Sequence, residues 1–130
     1  MNYNPILLAA IDEIDIVNLE NIRVDCVSDF MRTADHAPFV KLSGSLAQHV
    51  ATLWRQLPAG EPDRCHIPSF GLRFFNKNEL IVQGSISWKC SNIFGDAKGV
   101  NIVYAFHAQG DISQQLLKVC EESFQEINLN

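Results

Sequence analysis

The chain has 130 residues, of which 47% are hydrophobic and 19% are charged, and its net charge is −5. This composition excludes a fully disordered chain, and the length predicts one domain over residues 1–130 that folds without disulfides or metals. No apolar run approaches the roughly 18 residues that cross a bilayer.

The N-terminal third predicts one helix and two strands. Asn4-Pro5 provides the N-cap and first position of a helix that continues over residues 6–14. Apolar and charged residues alternate from Ile22 to Cys26, which predicts a half-buried strand that extends toward Phe30. A turn over residues 35–38 then leads into a short strand over residues 39–42.

The clearest helix begins at Ser43-Gly44-Ser45 and ends before Pro58. Its apolar residues recur at helical spacing and share one face. They are Leu46, Val50, Leu53, Trp54 and Leu57. The Pro- and Gly-rich segment 57–62 divides the chain into two parts that are each too small for a separate domain, so we expect a loop within one domain.

The second half switches to strand periodicity. Residues 71–75 predict a strand, residues 76–79 a polar turn, and residues 80–90 a long second arm with alternating apolar positions. Residues 92–99 predict another turn, and residues 100–106 a third antiparallel strand.

A terminal helix is predicted from Gly110-Asp111, because Asp111 and Gln114 have capping-box spacing. Its apolar face comprises Ile112, Leu116, Val119, Cys120 and Ile127. The predicted fold class is therefore α+β, with an antiparallel sheet of about four to five strands and two amphipathic helices packed on one face.

The four cysteines are widely spaced and contain no Cys-x-x-Cys pair. They are Cys26, Cys65, Cys90 and Cys120. The start of the chain has no basic segment typical of a secretory signal, so we expect a cytoplasmic protein whose four thiols are reduced and mostly buried. A secreted framework with two disulfides is the alternative.

The net negative charge lies within residues 1–35, where seven acids are present with two arginines. An acidic segment repels phosphate backbones, so we expect no nucleic-acid binding and a preference for a basic protein partner. A solvated face that aids solubility is the alternative. The candidate partner-binding residues are Asp12, Glu13, Asp15, Glu20, Asp25 and Asp29.

A different hypothesis is a small enzyme or zinc protein centred on Cys65, His66, Cys90 and His107. Structural zinc sites usually take their ligands from closely spaced pairs, and no pair among these residues has the usual spacing. A cysteine nucleophile needs a nearby imidazole, and His66, His107 or Asn92 could be the partner of Cys90. Cys90 falls on the apolar side of its predicted strand, which favours a buried thiol. We predict no catalytic residue, metal or cofactor.

The block from Cys65 to Asn92 contains His66-Ile67-Pro68, Gly71-Leu72-Arg73-Phe74 and the run Ser85 to Asn92. It resembles small uncharacterised bacterial proteins, some of which are encoded beside polymorphic or contact-dependent toxins as immunity proteins. The resemblance implies a protein-binding function and carries no catalytic assignment.

We therefore predict an immunity-type protein that neutralises a bacterial toxin domain, such as a nuclease, by direct contact. Nucleases that grip phosphates are basic, so an acidic inhibitor can mimic the phosphate charge. Aromatic anchors are expected at the interface, but Trp54 and Trp88 both fall on core-facing positions. The chain is expected to be a monomer or a weak homodimer.

Overall fold

The computed structural model describes residues 3–61 and 63–128, with side chains as far as residue 125. Six strands form one antiparallel sheet in the spatial order β2-β1-β3-β4-β5-β6. The strands are β1 (Glu13–Asn18), β2 (Phe39–Ser43), β3 (Phe70–Asn76), β4 (Glu79–Ser87), β5 (Asn92–Ala97) and β6 (Val100–Ala105). The α-helices are α1 (Val27–Thr33), α2 (Gly44–Arg55) and α3 (Asp111–Asn128).

The first face of the sheet carries the main hydrophobic core beneath α2 and α3. Successive side chains of a strand point to opposite faces, so Ile14 and Ile16 of β1 share this face. Both are fully buried in one cluster with Trp54 of α2 and Leu116 of α3. The predicted pair of helices on one face is confirmed.

The second face is covered in part by α1, and we call it the α1 face. Val17 of β1 points to this side and lies in a separate buried cluster with Phe30 of α1. Gly71 of β3 pairs with Val17, and the Phe30 ring occupies the space above this glycine. A third helix therefore packs on the side of the sheet opposite α2 and α3.

The predicted α+β class and antiparallel sheet are confirmed, but the predicted count of four to five strands and two helices is too low among the described residues. The sheet has six strands, and α1 is a third helix. No helix among the described residues is both long enough and apolar enough to cross a membrane.

The prediction for the N-terminal segment is correct only at its start. Asn4 caps a 3-10 turn over Pro5–Leu7, and its Oδ1 accepts from the backbone N–H of Ile6 at 3.1 Å. The predicted helix does not continue, because α2 side chains bind the carbonyl groups that a helix would use. Arg55 donates to Leu8 O and Ala9 O, and Gln48 Nε2 donates to Ile11 O at 2.8 Å.

The predicted strand over Ile22 to Cys26, with its extension toward Phe30, is wrong. The strand lies earlier, at Glu13–Asn18, and residues 27–33 form α1. The Asp29 side chain accepts from the backbone N–H of Asp25 at 3.1 Å, which stabilises the start of the helix, and the burial of Phe30 holds the helix on the sheet. The predicted turn and strand that follow are confirmed by β2.

The predicted turn over residues 92–99 is also wrong, because residues 92–97 form β5 between β4 and β6. Its glycine and aspartate are typical of a turn. Gly95 is required inside the strand instead, since an added Cβ would lie 3.0 Å from the Cα of Gly84. Only Lys98 and Gly99, both with positive φ, make the turn to β6.

The two long helices begin where predicted, but α2 ends before Leu57, which was predicted on its apolar face. α2 ends at Arg55, and its predicted apolar residues are buried except Leu46, which is 47% exposed. The predicted capping box of α3 is wrong, because Asp111 is the first helical residue and the Gln114 side chain donates to Ala108 O at 2.7 Å. Ile127, predicted on the apolar face, lies outside the described side chains.

The contact of Phe30 with Gly71 predicts the effect of Gly71→Ala. The added Cβ would overlap Cε1 of Phe30 and lie 2.6 Å from its Cζ. Overpacking of this kind costs about 1–3 kcal/mol of unfolding free energy, which urea denaturation measures. In a Phe30→Leu background the same substitution should cost less, because the ring is gone. An equal cost in both backgrounds would contradict this packing.

Candidate functional site

The loop between α2 and β3 places His66 on the α1 face, against β4 and β5. The imidazole stacks on the ring of Phe94 with centroids 4.0 Å apart and an angle of 14°. Its Nδ1 lies 2.6 Å from Asn92 Oδ1, and its Nε2 lies 2.7 Å from Ser85 Oγ. Three side chains from two strands therefore fix the imidazole.

The bonds made by Asn92 determine the hydrogen positions. Asn92 Nδ2 donates to the carbonyl oxygen of Cys65 at 2.7 Å, so Oδ1 faces His66 and can only accept. Nδ1–H of His66 therefore donates to Asn92, and in the neutral ring, which the lowered pKa of His66 favours, Nε2 accepts from the Ser85 hydroxyl. The imidazole is neutral in this arrangement.

Burial lowers the pKa of His66 below its ordinary value of 6.5, and the hydrogen bond to Asn92 and the charge of Asp25 offset this only in part. The Ser85 hydroxyl also lies 3.3 Å from the carbonyl oxygen of Phe94. Protonation of His66 at Nε2 would require the Ser85 hydroxyl to turn away from the imidazole and donate to the carbonyl oxygen of Phe94.

The order hydroxyl, imidazole, amide is also that of a serine activated by a general base. Ser85 is fully buried, however, beneath the His66 side chain, and its oxygen lies out of reach of a substrate. The chemical role of this arrangement in the described state is to hold the loop on the sheet.

The cysteine prediction is wrong for two of the four residues, because Cys65 and Cys90 form a disulfide. They are 25 residues apart, and only the fold of the loop over the sheet brings them together. Cys26 and Cys120 are not in disulfides. Cys26 is exposed, and Cys120 is buried in α3, where burial raises the pKa of its thiol.

The structure brings together three of the four residues of the enzyme or zinc hypothesis. Cys65 and Cys90 are bonded to each other, and His66 follows Cys65 with its ring held by Asn92. His107 is exposed and lies before α3, where its carbonyl accepts from Ser113 Oγ. Among the described residues, no group of three or more His, Cys, Asp or Glu could hold a metal ion.

Two of the predicted partner-binding acids lie on β1 and point to the α1 face. Glu13 and Asp15 alternate with core residues and share the direction of Val17. Lys41 Nζ of β2 lies 3.0 Å from Asp15 Oδ1 and 4.0 Å from Glu13 Oε2. Asp15 is buried, and the ion pair with Lys41 partly neutralises its charge.

Two further acids lie at the start of α1. Asp25 is paired with Arg23 at 2.9 Å, and Asp29 is paired with Arg32. The hydrogen bond from the backbone N–H of Asp25 holds the pKa of Asp29 below its ordinary value. These acids are ordered by local contacts.

The remaining two acids are separate from these pairs. Asp12 is exposed at the start of β1 and accepts from the backbone N–H of Lys77 at 3.0 Å. Glu20 is exposed after β1, beside a shallow groove that Glu121 of α3 also lines. The six acids therefore occupy four places.

The sequence did not identify Ser85 and Phe94 as partners of His66. It named Asn92 only as a possible partner of Cys90. The alternation of serines with apolar residues along β4 showed that Ser85 shares a face with Ser87. It did not show that a loop would cover that face.

No family model, curated protein or solved structure matches this chain.

The lowered pKa of His66 predicts the pH dependence of stability. Below pH 6.5 the unfolded chain takes up a proton that the folded chain resists, so the free energy of unfolding falls as pH decreases. Urea denaturation between about pH 5.5 and 7.5 should show this decline.

His66→Gln should remove that part of the pH dependence, whereas His49→Gln, at an exposed position of α2, should retain it. Equal slopes for the wild type and His66→Gln would contradict the assignment.

Proposed function

We propose that this chain is a cytoplasmic immunity-type protein that neutralises a bacterial toxin domain by direct contact, and that the α1 face is its contact surface. The observation that supports this most is that two of the exposed apolar side chains on that face lie among the acids of the N-terminal quarter.

The two apolar side chains are Met31 and Phe39, which are 45% and 51% exposed. Phe39 is the cross-strand partner of Val17 and so points to the face on which α1 packs. Met31 follows the buried Phe30 in α1. Large apolar groups of this kind are the usual anchors of protein interfaces.

Acidic groups accompany these anchors. Asp25 and Asp35 precede and follow α1, and their side chains are 60% and 68% exposed. Asp35 reaches Arg73 of β3 at 3.0 Å, which places it on the α1 face. Together with Glu13 and Asp29, these residues add acidic groups to the surface that carries Met31 and Phe39, and acidic groups at an interface speed association with a basic partner.

The direct test is co-expression with a toxin domain encoded beside this gene. We expect the two chains to co-purify, and the toxin domain to lose activity in proportion to the complex formed. The proposal fails if no neighbouring gene encodes such a domain, or if the purified chains form no complex at micromolar concentration.

The anchors predict a loss of affinity in two matched pairs of variants. Phe39→Ser and Met31→Ser should each weaken binding at least about tenfold, because buried anchors carry most of the binding energy. Val100→Ser and Leu46→Ser are the controls, since their side chains are 52% and 47% exposed and lie with the other face. Calorimetry measures the affinities. An equal effect of test and control variants would place the interface elsewhere.

The acids predict an effect on association rate. The double variant Asp25→Asn/Asp35→Asn should slow association with a basic toxin domain roughly two- to tenfold and reduce its dependence on salt. The double variant Glu121→Gln/Glu122→Gln removes the same charge from α3 on the other face and should have little effect. Stopped-flow measurements at several salt concentrations distinguish the two results.

A further inference from the structure

The Cys65–Cys90 disulfide is strongly asymmetric in exposure. Cys65 is exposed in the loop before β3, whereas Cys90 is fully buried in the turn after β4. Solvent therefore reaches Cys65 but not Cys90, and we expect an incoming thiolate to attack at Cys65. Such a difference directs thiol–disulfide exchange to one sulfur.

The loop is also held in place without the disulfide. Asn92 Nδ2 donates to Cys65 O at 2.7 Å, and the ring of His66 is bonded to Asn92 and Ser85. The backbone N–H of Ile67 donates to Ser87 Oγ at 3.3 Å. These four hydrogen bonds involve the cysteine itself or the next two residues.

Hydrogen bonds also hold the turn that carries Cys90, and one of them uses the same Ser87 hydroxyl. The backbone N–H of Cys90 donates to Ser87 Oγ at 3.0 Å, and Trp88 Nε1 donates to Ser113 O of α3 at 2.9 Å. Opening the disulfide removes one covalent link from a contact that hydrogen bonds maintain. Both sulfurs therefore remain positioned to form the bond again.

We propose that Cys65 and Cys90 form a reversible thiol–disulfide exchange site for low-molecular-weight thiols. The thiolate of an external thiol attacks Cys65 Sγ, a mixed disulfide forms there, and the Cys65–Cys90 bond breaks to leave a Cys90 thiolate that takes a proton from water. A second external thiolate attacks the mixed disulfide and releases the oxidised external disulfide and the Cys65 thiolate, which also takes a proton from water. The protein gains two electrons and two protons in total, and two thiols are oxidised.

The test separates this bridge from the remaining two cysteines. Cys120 is fully buried, and the exposed Cys26 is removed in the test by Cys26→Ser. The proposal does not depend on toxin binding, because the test uses this chain alone with glutathione and glutathione disulfide as probes.

The first experiment exposes the folded Cys26→Ser protein to glutathione and follows the disulfide by alkylation and mass spectrometry. Tryptophan fluorescence follows the fold in the same samples, since Trp54 and Trp88 are buried. We expect the bridge to open while the fold persists, and to form again when glutathione disulfide is added. Reduction that occurs only together with unfolding would overturn the proposal.

The second experiment compares two variants that both lack the bridge. In the Cys26→Ser background, Cys90→Ser leaves the exposed Cys65 thiol, and Cys65→Ser leaves the buried Cys90 thiol. With glutathione disulfide, Cys65 should form a mixed disulfide at least about tenfold faster than Cys90. Equal rates, or no mixed disulfide at Cys65, would refute the exchange site.

Discussion

Strand β1 buries side chains on both of its faces, and the rest of the fold follows from this constraint. Ile14 and Ile16 point to one side and Val17 to the other, and all three are fully buried. An antiparallel sheet with one solvated face would bury the apolar side chains on only one side of this strand. The two long helices must therefore cover one side, and α1 must cover the other at the level of Val17.

The two faces differ in chemistry because their covers differ in size. α2 and α3 close the first face with a continuous apolar core, whereas the shorter α1 and the loop that carries His66 leave polar groups on the second. Asp15, Gln83 and Ser85 are all buried there. The proposed contact surface and the proposed exchange site therefore lie on the same side of the sheet.

The bonds of Asn92 connect these features. Its side chain accepts from His66 and donates to Cys65 O, so one residue at the start of β5 positions both the imidazole and the loop that carries the exposed sulfur. Asp25, which precedes α1, is close enough to affect the pKa of His66. A partner bound over α1 would therefore lie near the disulfide, and the two proposed activities could influence each other.

Local pattern was sufficient where one periodicity was unambiguous. The spacing of Val50, Leu53 and Trp54 predicted α2, and alternation predicted β3, β4 and β6 together with the antiparallel α+β class. It failed where local preference and tertiary contact disagree. Gly95 and Asp96 are typical of a turn, yet they lie in β5 because strands on both sides pair with that segment.

The candidate site shows the same division. The sequence identified Cys65, His66, Cys90 and Asn92 as residues with possible chemistry, and the composition located the acidic charge within residues 1–35. Only the tertiary structure decided that two of the cysteines are bonded, that Ser85 is the partner of His66, and that Phe39 is exposed beside α1. Periodicity reports which way a side chain points within its own element, whereas these contacts join residues 19 or more positions apart or depend on what covers a face. That information exists only once the chain has folded.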